Sequence, residues 1–210
     1  MNKELEQYIN SPIEYDSDGN LVCNDYKIMY QYELPLMRYI ADTIVHRGGS
    51  VLNIGYGLGF FDKRVQEIGV RNHVIMECHP NVVASIDIPE ATIYVGPWQE
   101  HIDTFINYEM KFDCIFFDTY TFTVDGLYDE QYKFLNYCKS LLNNRGKVSL
   151  FTWPIHGKNI TPKLEESLID LKLTKEIFRV DERDYDYEHL YWEKIDEQNR
   201  SNVKKSTKED

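Results

Sequence analysis

Two carboxylates in this sequence occupy settings that ordinary surface acids avoid. Glu33 lies within Tyr30-Gln31-Tyr32-Glu33-Leu34-Pro35, an acid set among aromatics. A charge there is costly unless a cation joins it or that face meets solvent. Asp118 ends the apolar run Phe112-Asp113-Cys114-Ile115-Phe116-Phe117. In open α/β sheets ligands collect outside the carboxyl ends of the strands, so an acid leaving such a run enters the ligand crevice, unless it only caps a loop.

A second group of residues is built for a nucleoside. Val51-Leu52-Asn53-Ile54-Gly55-Tyr56-Gly57-Leu58-Gly59 reads as a strand, a tight glycine turn and a helix start, where glycines admit close approach and free N–H groups await a ligand. Glu77 follows Gly55 by 22 residues at the end of the next β-rich run, the place from which an acid accepts the hydroxyls of an adenosine ribose. The third glycine comes one residue earlier than in the dinucleotide pattern, which favours a cofactor without a pyrophosphate. Gly96-Pro97-Trp98-Gln99-Glu100 follows a third run. Its indole either edges an adenine or fills the gap between helix and sheet.

The elements that must position these residues alternate from Gly49 to about Lys194, as expected for an α/β domain with a largely parallel sheet. Strands are expected at Ser50–Ile54, His73–Glu77, Thr92–Val95, Phe112–Asp118 and Lys147–Thr152, with two more near Thr174–Val180 and His189–Ile195. Helical patterns fall at Phe60–Ile68, Asn81–Ile86, Glu100–Tyr108, Tyr128–Leu142 and Pro162–Leu171. Asn143-Asn144-Arg145-Gly146 closes the fourth of these. About eight residues separate the last two strands, too few for a crossover helix, so they should form an antiparallel hairpin. Five parallel strands plus that hairpin make a Rossmann-like, seven-stranded sheet of the kind that binds S-adenosyl-L-methionine, in preference to NAD. Tyr26–Val45 reads as an aromatic-rich helix, started or interrupted near Pro35, and residues 1–48 as a cap over a domain spanning 49–195. Residues 196–210 lack apolar periodicity and are expected to form a disordered tail.

Composition sets the outer limits. The 210 residues carry 23 Lys+Arg against 35 Asp+Glu, a formal net charge of -12. This surface would be repelled by phosphates, so nucleic acid is not an expected partner. The absence of an Asn/Asp-Pro-Pro-aromatic motif on the fourth strand argues the same way. No apolar stretch approaches the roughly 18 residues of a membrane span, and Met-Asn-Lys-Glu-Leu-Glu is too charged for a signal peptide. Cys23, Cys78, Cys114 and Cys138 form no C-x-x-C pair and no zinc spacing with His, so reduced thiols, no metal and a cytoplasmic location are expected.

Taken together, Val51–Gly59, Met76-Glu77-Cys78-His79-Pro80, Gly96–Glu100, Phe112–Tyr120 and Met29–Met37 resemble, in order and spacing, the guanidinoacetate N-methyltransferase family, which includes the fungal-type arginine Nδ-methyltransferases. The resemblance covers about Met29 to Thr152, and the Asn-Ile-Gly-Tyr-Gly, His-Pro and Trp-Gln-Glu details look closer to the arginine enzymes. It implies a class I methyltransferase fold acting on a guanidino group, most simply that of arginine, free or peptidyl. Guanidinoacetate or another small amine is the alternative acceptor, and a non-catalytic cofactor-binding module the alternative of another class. Carried over, the pattern implies cofactor contacts from Met29, Gly55, Tyr56, Gly57, Leu58, Gly59, Phe60, Glu77, Cys78, His79, Pro97, Trp98 and Asp118. It puts Glu33, Met37, Asp118, Tyr120 and Thr152 at the substrate, with Asp118 and Glu33 as catalytic groups. The partner is thus a small guanidino compound or a peptide arginine, and assembly as a homodimer is left open. After the fifth strand the sequence departs from the family: Pro154 and Ile155 stand where hydroxyls would meet a substrate carboxylate.

Overall fold

The computed structural model describes residues 3–120, 124–150, 171–179 and 186–194, with backbone alone for 124–129, 171–179, 186–190 and 192. Ten strands and six α-helices occur among them. The chain opens with α1 (Lys3–Asn10) and a small antiparallel meander of β1 (Ile13–Tyr15), β2 (Leu21–Cys23) and β3 (Tyr26–Met29). A 3₁₀ turn over Gln31–Glu33 leads into α2 (Leu34–Ile44). The large sheet then forms from β4 (Ser50–Ile54), β5 (Asn72–Glu77), β6 (Thr92–Val95), β7 (Phe112–Phe117), β8 (Leu142–Leu150), β9 (Leu171–Arg179) and β10 (Asp186–Lys194). Its helices are α3 (Phe60–Ile68), α4 (Pro80–Ala84), α5 (Trp98–Asn107) and α6 (Val124–Leu141).

Spatial order in the large sheet is β6-β5-β4-β7-β8-β10-β9. The first five strands pair in parallel, and β10 pairs antiparallel with both β8 and β9. This is the expected seven-stranded Rossmann-like methyltransferase sheet. The chain winds outward from β4 to β6 and then returns to lay β7 on the other side of β4. That reversal opens a crevice at the carboxyl ends of β4 and β7.

Every residue of β4 is buried, as a strand covered by helices on both faces must be. Its alternate side chains serve two cores. Leu52 and Ile54 join Val74, Met76, Ile115 and Phe117 under α5 and α6. Val51 joins Ile75, Cys114 and Phe116 under α2 and α3. Arg38 reaches from α2 to Glu67 of α3 through two hydrogen bonds, and Arg64 returns to Asp42. These exposed pairs add little stability compared with the apolar seam beneath them.

Two local expectations change, and a third lies almost wholly outside the described residues. The helix expected over Tyr26–Val45 occupies only Leu34–Ile44, because Pro35 suits the first turn of a helix and Tyr30 enters in an extended conformation. Ahead of it, Tyr26–Met29 is the third strand of the meander. The turn expected at Asn143–Gly146 lies inside β8: Phe112 pairs with Leu142 and Cys114 with Lys147, so the intervening residues bulge out. Arg145 takes a left-handed φ of 63° there, and Asn143 Nδ2 donates to Asp113 Oδ1. The helix expected at Pro162–Leu171 falls outside the described residues, apart from Leu171, which begins β9.

Candidate active site

The glycine turn is shaped by what surrounds it. Asp118 N–H donates to Ile54 O as β7 leaves the sheet beside β4. Gly55 has φ +95°, and a Cβ built on it would lie 1.8 Å from Asp118 O, so only glycine fits. Gly57 has φ +55°, and a Cβ there would come within 2.5 Å of the Met29 sulfur. That sulfur also accepts from Leu58 N–H at 3.1 Å. Met29, from the end of β3, therefore rests directly on the turn. Leu58 is half-buried there, and Phe60 is buried where it opens α3.

Glu77 is 5% exposed. One carboxylate oxygen accepts from Tyr56 N–H at 2.9 Å and the other from His79 N–H at 2.7 Å. Burial raises its pKa, and the backbone donors oppose that shift. Since a carboxylate offers about four lone-pair sites, Glu77 retains capacity for hydroxyl donors.

Glu33 is held by two layers of support. Its Oε1 accepts from Tyr30 N–H at 3.0 Å across the 3₁₀ turn. The turn is pinned in its place by the meander: Gln31 N–H donates to Asn20 Oδ1 and the Gln31 amide to Gly19 O. Only 7% exposed, Glu33 has a pKa pushed up to about 8, first by burial and then by the negative charge of Asp118. The two acids, 85 residues apart in sequence, thus face one environment. Burial raises Asp118 to about 7, with Asp62 and Glu77 adding to the shift, and no hydrogen bond among the described residues offsets it.

Other expected residues are placed differently. Trp98 makes edge-on contacts with Phe117, Phe134 and Tyr137 at centroid distances of 6.0, 5.4 and 5.9 Å. Its indole packs into the core beneath α5, and Pro97 is buried at the N-cap of the same helix. His79 is buried with both ring nitrogens engaged, Nδ1 accepting from Asn81 N–H and Nε2 bonded to Ser11 O. It fastens the segment after α1 to the end of β5 and has no ring nitrogen left for a ligand. Met37 is fully buried in the cluster under α2 and presents no surface to the crevice. Tyr56 turns its ring beneath Gly59, and burial pushes its hydroxyl up to about 12. The Cys78 thiol is held well above its ordinary range by burial and by the charge of Glu77, which makes it a poor nucleophile. Tyr120 packs at 5.5 Å from Tyr8, itself edge-on to His79. Thr152 and the loop after it lie outside the described residues.

Sequence reading missed three residues beneath the glycine turn: Asn53, Asp62 and His73, all buried. Their signal was present, since each is a polar residue at an apolar position of an otherwise periodic strand or helix. Among the described residues no group of three or more His, Cys, Asp or Glu could hold a metal ion, and no helix is long and apolar enough to cross a membrane. All four cysteines are free.

Comparison with known proteins gives a consistent set of relatives. A family model described as guanidinoacetate N-methyltransferase matches residues 5–207. Protein arginine N-methyltransferase 2 of Candida glabrata is 30% identical over 158 residues, covering 70% of this chain and 37% of the relative. The Aspergillus oryzae protein of the same name is 26% identical over 197 residues, covering 90% and 46%. The chain therefore spans less than half the length of these curated relatives. Among solved structures, a protein of Streptococcus mutans assigned as a SAM-dependent methyltransferase aligns with a TM-score of 0.61 at 10% identity, over 87% of this chain and 55% of that one. A SAM-dependent methyltransferase from Agrobacterium tumefaciens aligns with a TM-score of 0.54 at 9% identity, over 88% and 70%.

Proposed function

The chain belongs to the guanidinoacetate N-methyltransferase family, and on that premise we propose that it transfers a methyl group from S-adenosyl-L-methionine to a guanidino nitrogen, with arginine, free or peptidyl, as the favoured acceptor. The observation that carries this reading is the pairing of buried Glu33 with half-buried Asp118, two acids with raised proton affinity beside a glycine turn, the charge of Asp118 adding to the shift of Glu33. Arginine is favoured over guanidinoacetate by the names of the relatives found, although the family's own description keeps guanidinoacetate as the second candidate. The free thiols fit a reducing compartment, so a cytoplasmic site of action belongs to the same proposal.

The residues present fit the cofactor. The left-handed glycine turn at Gly55, Gly57 and Gly59 and the spare lone pairs of Glu77 suit a nucleoside with a ribose diol. Met29, Gly55–Phe60 and Glu77 would hold it, and when bound it supplies an electrophilic methyl on a sulfonium cation. Glu33 and Asp118 would grip the planar, forked guanidinium bidentately and offset its repulsion from a neighbouring cation. A guanidinium holds its proton up to a pKa above about 12, so neither acid can remove it beforehand. The proton would leave as the nitrogen–carbon bond forms and the sulfonium's bond to the methyl breaks, with Asp118 or Glu33 accepting it. Most of the rate comes from holding the nitrogen in line at near-attack distance.

The test is a screen of arginine, guanidinoacetate, agmatine and arginine-containing peptides with labelled cofactor, scored by the mass gain of one methyl group. Transfer to a guanidino nitrogen is the expected result. Cofactor binding without transfer to any of them would leave a binding module in its place.

A further inference from the structure

A buried polar chain runs under the glycine turn and takes no direct part in the reading above. Gln66 Nε2 lies 2.7 Å from His73 Nδ1, and His73 Nε2 lies 2.9 Å from Asp62 Oδ1. Asn53 Nδ2 then donates to Asp62 Oδ2 at 2.7 Å and to Gly55 O at 2.8 Å. Asp62 is 0% exposed, and Asn53 and His73 are nearly as deep. Asn53 and His73 occupy the face of the sheet covered by α3, which carries Gln66 and Asp62.

One atom in this chain is left over. With both amide protons committed, Asn53 Oδ1 is buried without a partner, which is unfavourable for a polar atom. The alternative amide orientation would set Oδ1 against Asp62 Oδ2 and Gly55 O, three acceptors with no proton among them. The orphaned oxygen thus shows that the amide is oriented for Gly55 O and Asp62.

The Gly55 carbonyl and the Tyr56 N–H belong to a single peptide group. The carbonyl end is held by Asn53 and the N–H end by Glu77 Oε2. We infer that the Asn53–Asp62–His73 chain clamps the Gly55–Tyr56 peptide and so aims the Glu77 carboxylate at the cofactor ribose, which makes Asp62 a positioning residue for the cofactor site. The inference rests on the methyltransferase reading for its ligand, but the clamp itself can be measured without one.

The experiment measures two quantities on the full chain: the exchange rate of the Tyr56 amide proton and the Kd for S-adenosylhomocysteine. Asp62→Leu removes both acceptors and should raise each by at least about tenfold. Asp62→Asn can keep the chain if the His73 tautomer and the Gln66 amide reverse, and it should stay within about threefold of wild type on both. Should Asp62→Leu fail to fold, Asn53→Ala cuts only the last link and is expected to give the same pair of losses. The Ile115 amide, in β7 away from the turn, serves as the control for general loosening. Equal acceleration of Tyr56 and Ile115, or a folded Asp62→Leu with both quantities unchanged, overturns the proposal. A wild-type protein that does not bind S-adenosylhomocysteine would instead sink the methyltransferase reading, and the exchange ratio would still decide the clamp.

Discussion

Placing a guanidinium between Glu33 and Asp118 should expel protons, and the number follows from their ionisation before the cation binds. With pKa values of about 8 and about 7, Glu33 is about 9% ionised at pH 7 and Asp118 about 50%. If the cation requires both charges, binding at pH 7 releases about 1.4 protons, and at pH 9 only about 0.1. The doubly ionised fraction rises from about 0.7% at pH 6.5 to about 74% at pH 8.5, so acceptor affinity should tighten by about 100-fold across that range. The guanidinium keeps its charge throughout, so with an acceptor that lacks a free α-amino group the dependence belongs to the protein. Calorimetry of acceptor binding without cofactor, repeated in buffers of different ionisation enthalpy, reads the proton count directly. Glu33→Gln should lower the release at pH 7 to about 0.5. A sulfonium bound nearby would pull both pKa values down, so the kinetic profile with cofactor should lie at lower pH than the binding profile. No proton release at pH 7, with a Kd constant within about threefold from pH 6.5 to 8.5, would refute the buried-pair reasoning.

Asp118→Asn should abolish turnover while S-adenosylhomocysteine still binds, checked by a methyl-transfer assay beside calorimetry; retained turnover removes Asp118 from the mechanism. Glu33 should destabilise the fold at neutral pH, because its folded pKa of about 8 lies above the ordinary 4.5. A raised acid contributes fully below its unfolded pKa, and that contribution is lost as pH climbs toward the folded value. Glu33→Gln should therefore gain about 3 kcal/mol at pH 7 and nothing below about pH 4 in denaturant titrations. Gly57→Ala should weaken cofactor affinity by at least about tenfold, since its methyl group must displace the Met29 sulfur and accept a left-handed φ. Trp98→Phe should lower Tm through lost core packing but leave the Kd for S-adenosylhomocysteine within about threefold, the outcome expected of a core indole.

Much of this site can be read from spacing, because the constraints are local. A buried strand followed by alternating glycines, then an acid at the next strand end, leaves few other folds, and Asp118 follows from the same rule applied to β7. The strands of the meander escape notice because they are three or four residues long, too short for periodicity to develop. Side-chain direction is the other limit. Trp98 and Met37 stand at the expected positions in the chain, but each helix turns about 100° per residue, and the rotation that faces them inward is set by neighbours far away in sequence. The roles of Asn53, Asp62 and His73 depend on three elements meeting under one turn. Sequence marks them as polar residues at apolar positions without saying what they hold.

The two acids come from different parts of the chain, and this bears on how such a protein could diversify. Asp118 and the glycine turn belong to the sheet, whereas Glu33 arrives on the segment before Gly49. Under the proposed function, replacing that segment would exchange the grip on the acceptor and leave the nucleoside cradle nearly whole, so choice of acceptor would behave as a detachable module. The exchange is limited by Met29, whose sulfur touches both Gly57 and Leu58. A donor segment would have to bring a thioether, or something of its length and softness, to the same spot. Relatives with other acceptors should therefore vary most around Glu33 and least at Met29.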